Sequence, residues 1–253
     1  MAGVPGASPW SPPPRPPSAA RRPVRWGFGD AVWVLVVALV GANVASVIIV
    51  SIRHPNQPGT FDAIDTALAT AVQYALMLGL IFLLIGRKGN GPQRDLGLTL
   101  RRADWWWLSV GVGGSLAVGI LLLPISHLWS DGNHGSQQIG QQLQDSASWS
   151  RIVLFLLIVF VAPVAEELLF RGIILRAALR RMQAPNAVLV SGASFAALHL
   201  LDPTTFPALP ALLALGTFSA VVALRTGSLS RSILLHSGFN LLGAIQLLST
   251  AKH

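Results

Sequence analysis

The 253-residue chain contains no cysteine, and it is poor in charge. The missing cysteines exclude disulfide bonds, thiolate catalysis and cysteine-ligated metals. Charged residues form 11% of the chain and hydrophobic residues 52%, whereas a soluble domain carries about 25% charged residues. This balance predicts an integral membrane protein of the all-α class, a polytopic bundle of transmembrane helices.

Glutamate is almost absent as well. The two glutamates of the chain, Glu166 and Glu167, are neighbours inside the apolar run VFVAPVAEELLFRGIIL, residues 159–175. An ionised side chain at the centre of a bilayer costs about 2.5 kcal/mol or more, so intramembrane carboxylates are usually functional. The pair therefore marks the first candidate site.

Long apolar segments predict the membrane topology. Each segment is close to the roughly 20 residues that a helix needs to cross the hydrocarbon core. Of the 18 Lys and Arg residues, 15 fall in alternate connectors, which predicts seven spans with a cytoplasmic N-terminus. The same clustering explains the net charge of +8 without nucleic-acid binding. The predicted spans are 30–52, 63–86, 105–125, 151–179, 187–201, 205–224 and 231–250.

The domain organisation follows from these segments. Residues 1–29 hold eight of the 17 prolines and four arginines, which predicts a disordered Pro/Arg-rich cytoplasmic tail. Residues 30–250 form the bundle, and the polar motifs occupy about 150–245. In the third span, Gly111, Ser115 and Gly119 recur every four residues and predict a close helix contact.

Three groups of polar residues lie on separate late spans. Arg171 follows Glu167 by four residues and shares its helix face, which leaves Glu166 free for chemistry. His236 and Asn240 show the same spacing, and His199 lies between these two groups in sequence. A carboxylate, two imidazoles and an amide are sufficient to activate water and to stabilise an oxyanion. Helix lengths place the site near mid-membrane and predict access through a water-filled cavity from the side of the basic connectors.

Other interpretations stay open at this point. A buried Glu–Arg pair or an intramembrane histidine is often a structural contact between helices. Glu, His and Arg also build the proton relays of transporters, although the chain has no internal repeat. No Gly-x-Ser-Gly or His-Glu-x-x-His string indicates a rhomboid-type serine protease or a site-2-type zinc protease.

The strings EELLFR, FAALH and HSGFN resemble, in order, the three motifs of the CAAX-protease and bacteriocin-processing (CPBP, or Abi) family of intramembrane endopeptidases. The family pattern is Glu-Glu-x-x-x-Arg, Phe-x-x-x-His and His-x-x-x-Asn or Asp, and the chain matches it throughout. The resemblance, which extends to type II CAAX prenyl proteases, implies a bundle of about eight membrane helices. An eighth helix would then lie in 126–148, or the predicted spans would be divided differently.

The resemblance also implies roles for the matching residues. Glu166 and His199 would activate the hydrolytic water, and His236 with Asn240 would polarise the scissile carbonyl. The sequence leaves the mechanism open between a metal-free glutamate protease and a metalloprotease. In the second case Glu166, His199 and His236 would hold zinc.

The supporting residues implied by the resemblance are Glu167, Arg171 and Phe195. The expected substrate is a peptide or a membrane protein, and its identity stays open. A non-catalytic bacteriocin-immunity or scaffold protein on the same bundle, or a proton-coupled transporter, is the alternative function. A composition rich in alanine, arginine and proline suggests a bacterial plasma membrane as the location.

Overall fold

The computed structural model describes residues 23–56, 60–126 and 148–249. Within these ranges all regular structure is helical, as the sequence predicts. We number the helices α1 to α8. Helix α5 is a single continuous helix that contains two π-helical stretches. Their bounds are α1 Phe28–Arg53, α2 Ala63–Lys88, α3 Pro92–Leu96, α4 Trp106–Ser126, α5 residues 148–179, α6 Ala184–Leu198, α7 Leu209–Thr226 and α8 Leu229–Ser249.

Within the described residues, six helices are long and apolar enough to cross a membrane: α1, α2 and α4 to α7. They correspond to the first six predicted spans. The predicted seventh span is present as α8, a 21-residue helix that does not belong to this group of six. The multi-pass membrane bundle is thus confirmed, and the exact total of seven or eight spans stays a prediction. Most of the segment predicted to hold an eighth helix lies outside the described residues.

Helix α5 is the central element of the bundle. In the most apolar 18-residue stretch of α5, 56% of the residues are buried, whereas in the corresponding stretch of α1 only 11% are buried. Its residues Leu168, Leu169 and Ile173 are completely buried. The polar residues near its middle, Glu166, Glu167 and Arg171, are therefore buried within the protein.

The start of the bundle requires a correction. Residues 1–22 of the predicted tail lie outside the described residues, but Val24 and Trp26 pack against the helices, and α1 already begins at Phe28. Trp26 is only 2% exposed, and the backbone N–H of Arg25 donates to the carbonyl of Lys88 at 2.9 Å. The large apolar surface of the tryptophan explains this packing, which the high proline and arginine content concealed.

The predicted basic connectors meet at one end of the bundle, which we call the basic end. The contacts involve the start of α1, the end of α2, the segment between α2 and α4, the end of α5 and the start of α8. They are Lys88 Nζ to Asp30 at 2.6 Å, Arg176 to the Leu96 carbonyl at 2.8 Å, and Arg231 Nε to Asp104 at 2.7 Å. The alternation of basic connectors in sequence thus corresponds to one physical end.

The opposite end, which we call the cavity end, carries the α1–α2 and α6–α7 connections. Arg53 forms ion pairs with Asp62, at 2.8 Å, and with the fully buried Asp65. The hydrogen bond from the Arg53 guanidinium holds the pKa of Asp62 well below its ordinary value of 3.8. The connection between α1 and α2 is therefore fixed by charge.

Glycines set the close approach of α4 and α8. A Cβ at Gly111 would overlap the carbonyl of Leu235, and a Cβ at Gly238 would overlap that of Leu108. The predicted contact at Gly111 is confirmed, but a Cβ at Gly119 would meet no atom within 4 Å. The glycine spacing was wrong for this residue because the two helices share only part of their length in close contact.

Candidate active site

Glu166 and Glu167 end a short α-helical stretch, Ala162–Glu167, between two π-helical stretches of α5. These are Leu157–Val161 and Leu168–Ile174. Such wide turns are rare and occur frequently at functional sites. Consecutive helix residues point about 100° apart, so the two carboxylates enter different surroundings.

Glu167 lies in a fully buried group that we call the closed cluster: Glu167, Arg171, Ser232 and His236. Its Oε1 is 2.8 Å from Arg171 Nη1, as the spacing of four residues predicts. The same oxygen accepts Nδ1–H of His236 at 3.0 Å, and Oε2 accepts the Ser232 hydroxyl at 2.6 Å. Buried charges are tolerated when they are paired and hydrogen-bonded, and Glu167 satisfies both conditions.

Arg171 connects this cluster to the neighbouring helices. Its Nη2 donates to the carbonyl of Gly216 on α7 at 2.7 Å, and its guanidinium carbon lies 4.8 Å from the centre of the Phe195 ring on α6. A Cβ at Gly216 would lie 2.9 Å from the carbonyl oxygen of Gly192, so α6 and α7 pack closely beside the arginine. One side chain thus links three helices.

Glu166 has a different set of neighbours. Its Oε1 accepts the hydroxyl of Tyr74 on α2 at 3.1 Å, and its Oε2 lies 3.8 Å from Nε2 of His236. Within the described residues it forms no ion pair with a lysine or an arginine. With 9% of its surface exposed, Glu166 reaches the cavity described below.

His236 lies between the two glutamates. Because an ionised carboxylate only accepts, Nδ1–H of His236 must be the donor to Glu167. The other ring nitrogen, Nε2, faces Glu166 at a separation too long for a direct hydrogen bond. The closed cluster therefore orients the imidazole toward the second carboxylate.

His199 shares the cavity with Glu166. Its Nδ1–H donates to the carbonyl of Phe195 at 2.8 Å, because a carbonyl can only accept. This bond leaves Nε2 for a water or a substrate. The Phe195 ring separates the two imidazoles, with ring centres 4.8 Å from His199 and 5.4 Å from His236.

Asn240 contacts a different part of α5. Its Nδ2 donates to the carbonyl of Ile158 at 2.9 Å, inside the first π-helical stretch. There the N–H of Ala162 bonds to Leu157, five residues back. The next donor in this register would be residue 163, a proline without N–H, so the Ile158 carbonyl would lack a partner. Asn240 supplies that donor and retains a second amide N–H.

A cavity of about 450 Å³ runs from Glu166 to the cavity end. Its walls are the second half of α1, the first half of α2 and the segment that joins α6 to α7. Tyr74 and His199 lie beside Glu166, whereas Phe61 and Asp202 lie near the outer end. The predicted access from the side of the basic connectors is therefore wrong for this cavity, because the closed cluster and the tight packing of α5 with α6 and α7 fill that side.

The predicted zinc ligands do not fit one ion in this geometry. Within the described ranges, the group with three ligand atoms within 4.8 Å of one another is His54, Asp62 and Asp65, at the cavity end. Glu166, His199 and His236 do not form such a group. Arg53 already forms ion pairs with both acidic residues of the His54 group, so neither set is assigned to a metal.

Sequence reasoning missed two residues that contact the glutamates. Ser232 donates to Glu167, and Tyr74 donates to Glu166. A serine in a membrane helix gives no specific signal. Tyr74 is the one tyrosine of the chain, but it lies on α2, far in sequence from every motif.

Part of the chain matches a known family. Residues 148–242 match the family model described as Type II CAAX prenyl endopeptidase Rce1-like. Neither the curated proteins nor the solved structures that were searched contain a match. The matched region includes all three motifs and covers somewhat more than a third of the chain. Over this region the chain is similar to CAAX-type endopeptidases, as its three motifs predict.

Proposed function

We propose that this protein is an intramembrane endopeptidase in which Glu166 is the general base. The similarity of residues 148–242 to CAAX-type endopeptidases supports a protease at the level of the family. The observation that carries the residue assignment is the contrast between the two glutamates. Glu167 is fully paired and buried, while Glu166 reaches a cavity and has no cationic lysine or arginine partner in the described structure.

In the proposed reaction, Glu166 removes a proton from a water molecule in the cavity. The water oxygen forms a bond to the carbonyl carbon of the scissile peptide, and the carbonyl oxygen takes the negative charge. When the tetrahedral intermediate collapses, the C–N bond breaks and protonated Glu166 gives its proton to the leaving amine. A positioned general base accelerates such a step by about 10²- to 10⁴-fold.

The imidazoles and the amide complete this proposal. Nε2 of His199 accepts from the attacking water and orients it. In its doubly protonated form His236 donates Nδ1–H to Glu167 and presents Nε2–H to the oxyanion. Asn240 adds its second N–H to the same oxygen. Tyr74 is a positioning residue that holds the carboxylate of Glu166 toward the cavity.

The mechanism is proposed without a metal, because the three predicted ligands do not come together around one point. The measurement is cleavage before and after treatment with a chelator, with the metal content determined on the same sample. Unchanged cleavage is expected. Loss of cleavage that zinc restores would show that the metallo-endopeptidase form is correct.

The test of the function uses the full chain in lipid nanodiscs and a randomised library of 12-residue C-terminal amides, with products identified by mass spectrometry. We expect Glu166→Gln to lower cleavage at least about 100-fold while the thermal unfolding of the protein stays unchanged. Cleavage at the wild-type rate would show that Glu166 is not the base. If wild type cleaves nothing, the non-catalytic interpretation replaces this one.

We also propose a plasma-membrane location with the N-terminus on the cytoplasmic side. The lack of native cysteine makes the test direct, because each introduced cysteine is the only thiol. We expect Ser18→Cys to react with a membrane-impermeant maleimide only after the cells are opened, and Ser136→Cys to react in intact cells. The reverse result would invert the orientation.

A further inference from the structure

At the basic end of the bundle, the chain enters α4 through a short exposed segment that includes one turn of 3₁₀-helix. Two arginines stand there among large apolar side chains, and all of them are exposed. The exposed residues are Leu100, Arg101, Arg102, Trp105 and Trp106. We call these five residues the interfacial strip. Its surface combines two positive charges with a leucine and two indole rings.

The interfacial strip is fixed to the body of the protein. Asp104, in the middle of the turn, is buried, and its Oδ1 accepts Nε–H of Arg231 on α8 at 2.7 Å. Its Oδ2 accepts the backbone N–H of Arg101 at 2.9 Å. The ring of Trp106 lies 4.4 Å from that of Trp107, which packs against the hydrophobic core. The exposed side chains therefore project from a backbone that is held in place.

The two guanidinium groups of the strip have no carboxylate partner. In the part of the chain that the structure describes, neither Arg101 nor Arg102 forms an ion pair, because both oxygens of the nearby Asp104 accept other donors. The remaining aspartates of the basic end, Asp30 and Asp95, accept from other residues. The strip thus presents two uncompensated cations at the protein surface.

The whole basic end carries an excess of positive charge. The described segments that meet there contain eleven lysines and arginines and three aspartates; these segments are 23–30, 87–104, 176–181 and 225–231. Residues 1–22 of the sequence add three arginines and no acidic residue. The other seven acidic residues of the chain belong to other connections or to the membrane helices. Such an excess at a membrane surface attracts acidic lipids.

The apolar members of the strip indicate a lipid and not a soluble polyanion. Each of the side chains of Leu100, Trp105 and Trp106 is more than half exposed. A nucleic acid or an acidic protein bound to the arginines would leave these side chains in water. In a bilayer, indole rings lie at the level of the headgroups, and a neighbouring guanidinium matches the geometry of a phosphate.

We infer that the interfacial strip binds the headgroups of acidic phospholipids in preference to zwitterionic ones. Arg101 and Arg102 contact the phosphate, and the indole rings and Leu100 contact the glycerol and the upper acyl chains. Charge-assisted contacts between arginine and phosphate supply the affinity. The inference goes beyond the proposed function and does not depend on it, because lipid binding is measured without any cleavage.

The test uses the absence of native cysteine. Ala103→Cys, at an exposed position inside the strip, is labelled with bimane in the full-length protein. The protein is placed in phosphatidylcholine vesicles that contain either brominated phosphatidylglycerol or brominated phosphatidylcholine, and bromine quenches the dye on contact. We expect phosphatidylglycerol to bind about tenfold more tightly than phosphatidylcholine at this position. Ile52→Cys, exposed at the cavity end, is the control and should show less than about a twofold preference.

A variant pair assigns the preference to the two arginines. In the Ala103→Cys background, Arg101→Gln with Arg102→Gln should reduce it to about twofold, whereas Arg101→Lys with Arg102→Lys should retain most of it. All four substitutions are at exposed positions, so the fold should stay intact, and tryptophan fluorescence during unfolding checks this. Equal quenching by both lipids, or an unchanged preference in the glutamine pair, would overturn the inference.

A soluble anion distinguishes a lipid site from a general phosphate site. Excess glycerol phosphate, which carries the headgroup charge without acyl chains, should leave the quenching by brominated phosphatidylglycerol unchanged. Reversal of the quenching would show that the strip is a site for free phosphate groups, and the assignment to lipid would be wrong. Loss of proteolytic activity, or its absence, changes neither readout, so failure of the proposed function stays separate from failure of this inference.

Discussion

Two neighbouring glutamates on α5 belong to regions of opposite character. The closed cluster around Glu167 is dry, with Glu167 and Arg171 0% exposed, and every carboxylate oxygen there has a donor. The cavity side around Glu166 is open to the cavity end and contains no cationic lysine or arginine in the described structure. The comparison teaches that burial and pairing, and not residue type, distinguish the paired carboxylate of Glu167 from the one that we propose as the general base.

His236 joins the two regions. Through Nδ1 it belongs to the closed cluster, and through Nε2 it faces Glu166. A rigid cluster can therefore orient a group that acts in the cavity. Hydrogen bonds from supporting residues of this kind hold a functional side chain in one orientation.

The largest effect is expected when the closed cluster loses its cation. Arg171→Met leaves Glu167 buried without its ion pair, and the free energy of unfolding should fall by about 3–5 kcal/mol. Unfolding in detergent, followed by tryptophan fluorescence, measures the change. The matched control is Glu166→Gln, one residue away from Glu167, which should stay within about 1 kcal/mol of wild type. Equal losses in both variants would remove the distinction between the regions.

The next effect concerns Asn240 and Pro163. Asn240→Leu removes the donor to the Ile158 carbonyl, and the unfolding free energy should fall by about 1–3 kcal/mol. In a Pro163→Ala background a backbone N–H is restored at position 163, so the same substitution should cost less. The double-mutant cycle measures this coupling. Strict additivity would show that the carbonyl does not depend on Asn240.

On the cavity side, Tyr74→Phe removes the donor to Glu166 without emptying space. Loss of a hydrogen bond to a charged group should lower kcat about tenfold and leave KM nearly unchanged. Because Tyr74 is the single tyrosine, a ¹³Cζ-tyrosine label gives one NMR signal. That signal should shift in Glu166→Gln and stay in place in Glu167→Gln. A response to Glu167→Gln alone would place the tyrosine in the closed cluster.

The smallest effect lies at the cavity end. The pKa of Asp62 is lowered in the folded state by the hydrogen bond from Arg53, so its stabilising contribution is present above about pH 4 and is lost as the pH falls further. Asp62→Asn should therefore lower stability at pH 7 by less than about 1 kcal/mol, since the pair is partly exposed. Its effect should be clearly smaller at pH 2 than at pH 7. Thermal unfolding at the two pH values measures this difference, and an equal loss at both would contradict it.

Local spacing was sufficient for several features. Apolar run length predicted the spans, basic connectors predicted which helix ends lie together, and a separation of four residues predicted the Glu167–Arg171 pair. Local sequence patterns did not predict the burial of Trp26, which its proline-rich context concealed. They also did not predict the π-helical stretches of α5. The two π-helical stretches change the direction of the side chains, and no residue spacing reveals them except the proline at 163.

By itself, therefore, the sequence determined an all-helical membrane protein, its pattern of spans and its set of intramembrane polar residues, because hydrophobic length and helical periodicity are local properties. The tertiary structure alone decided that Tyr74 donates to Glu166 and Ser232 to Glu167. It also decided that Asn240 donates to α5 and that the cavity opens away from the basic end. These features depend on which helices are neighbours in space, and contacts between residues 92 positions apart follow from packing and not from any local pattern.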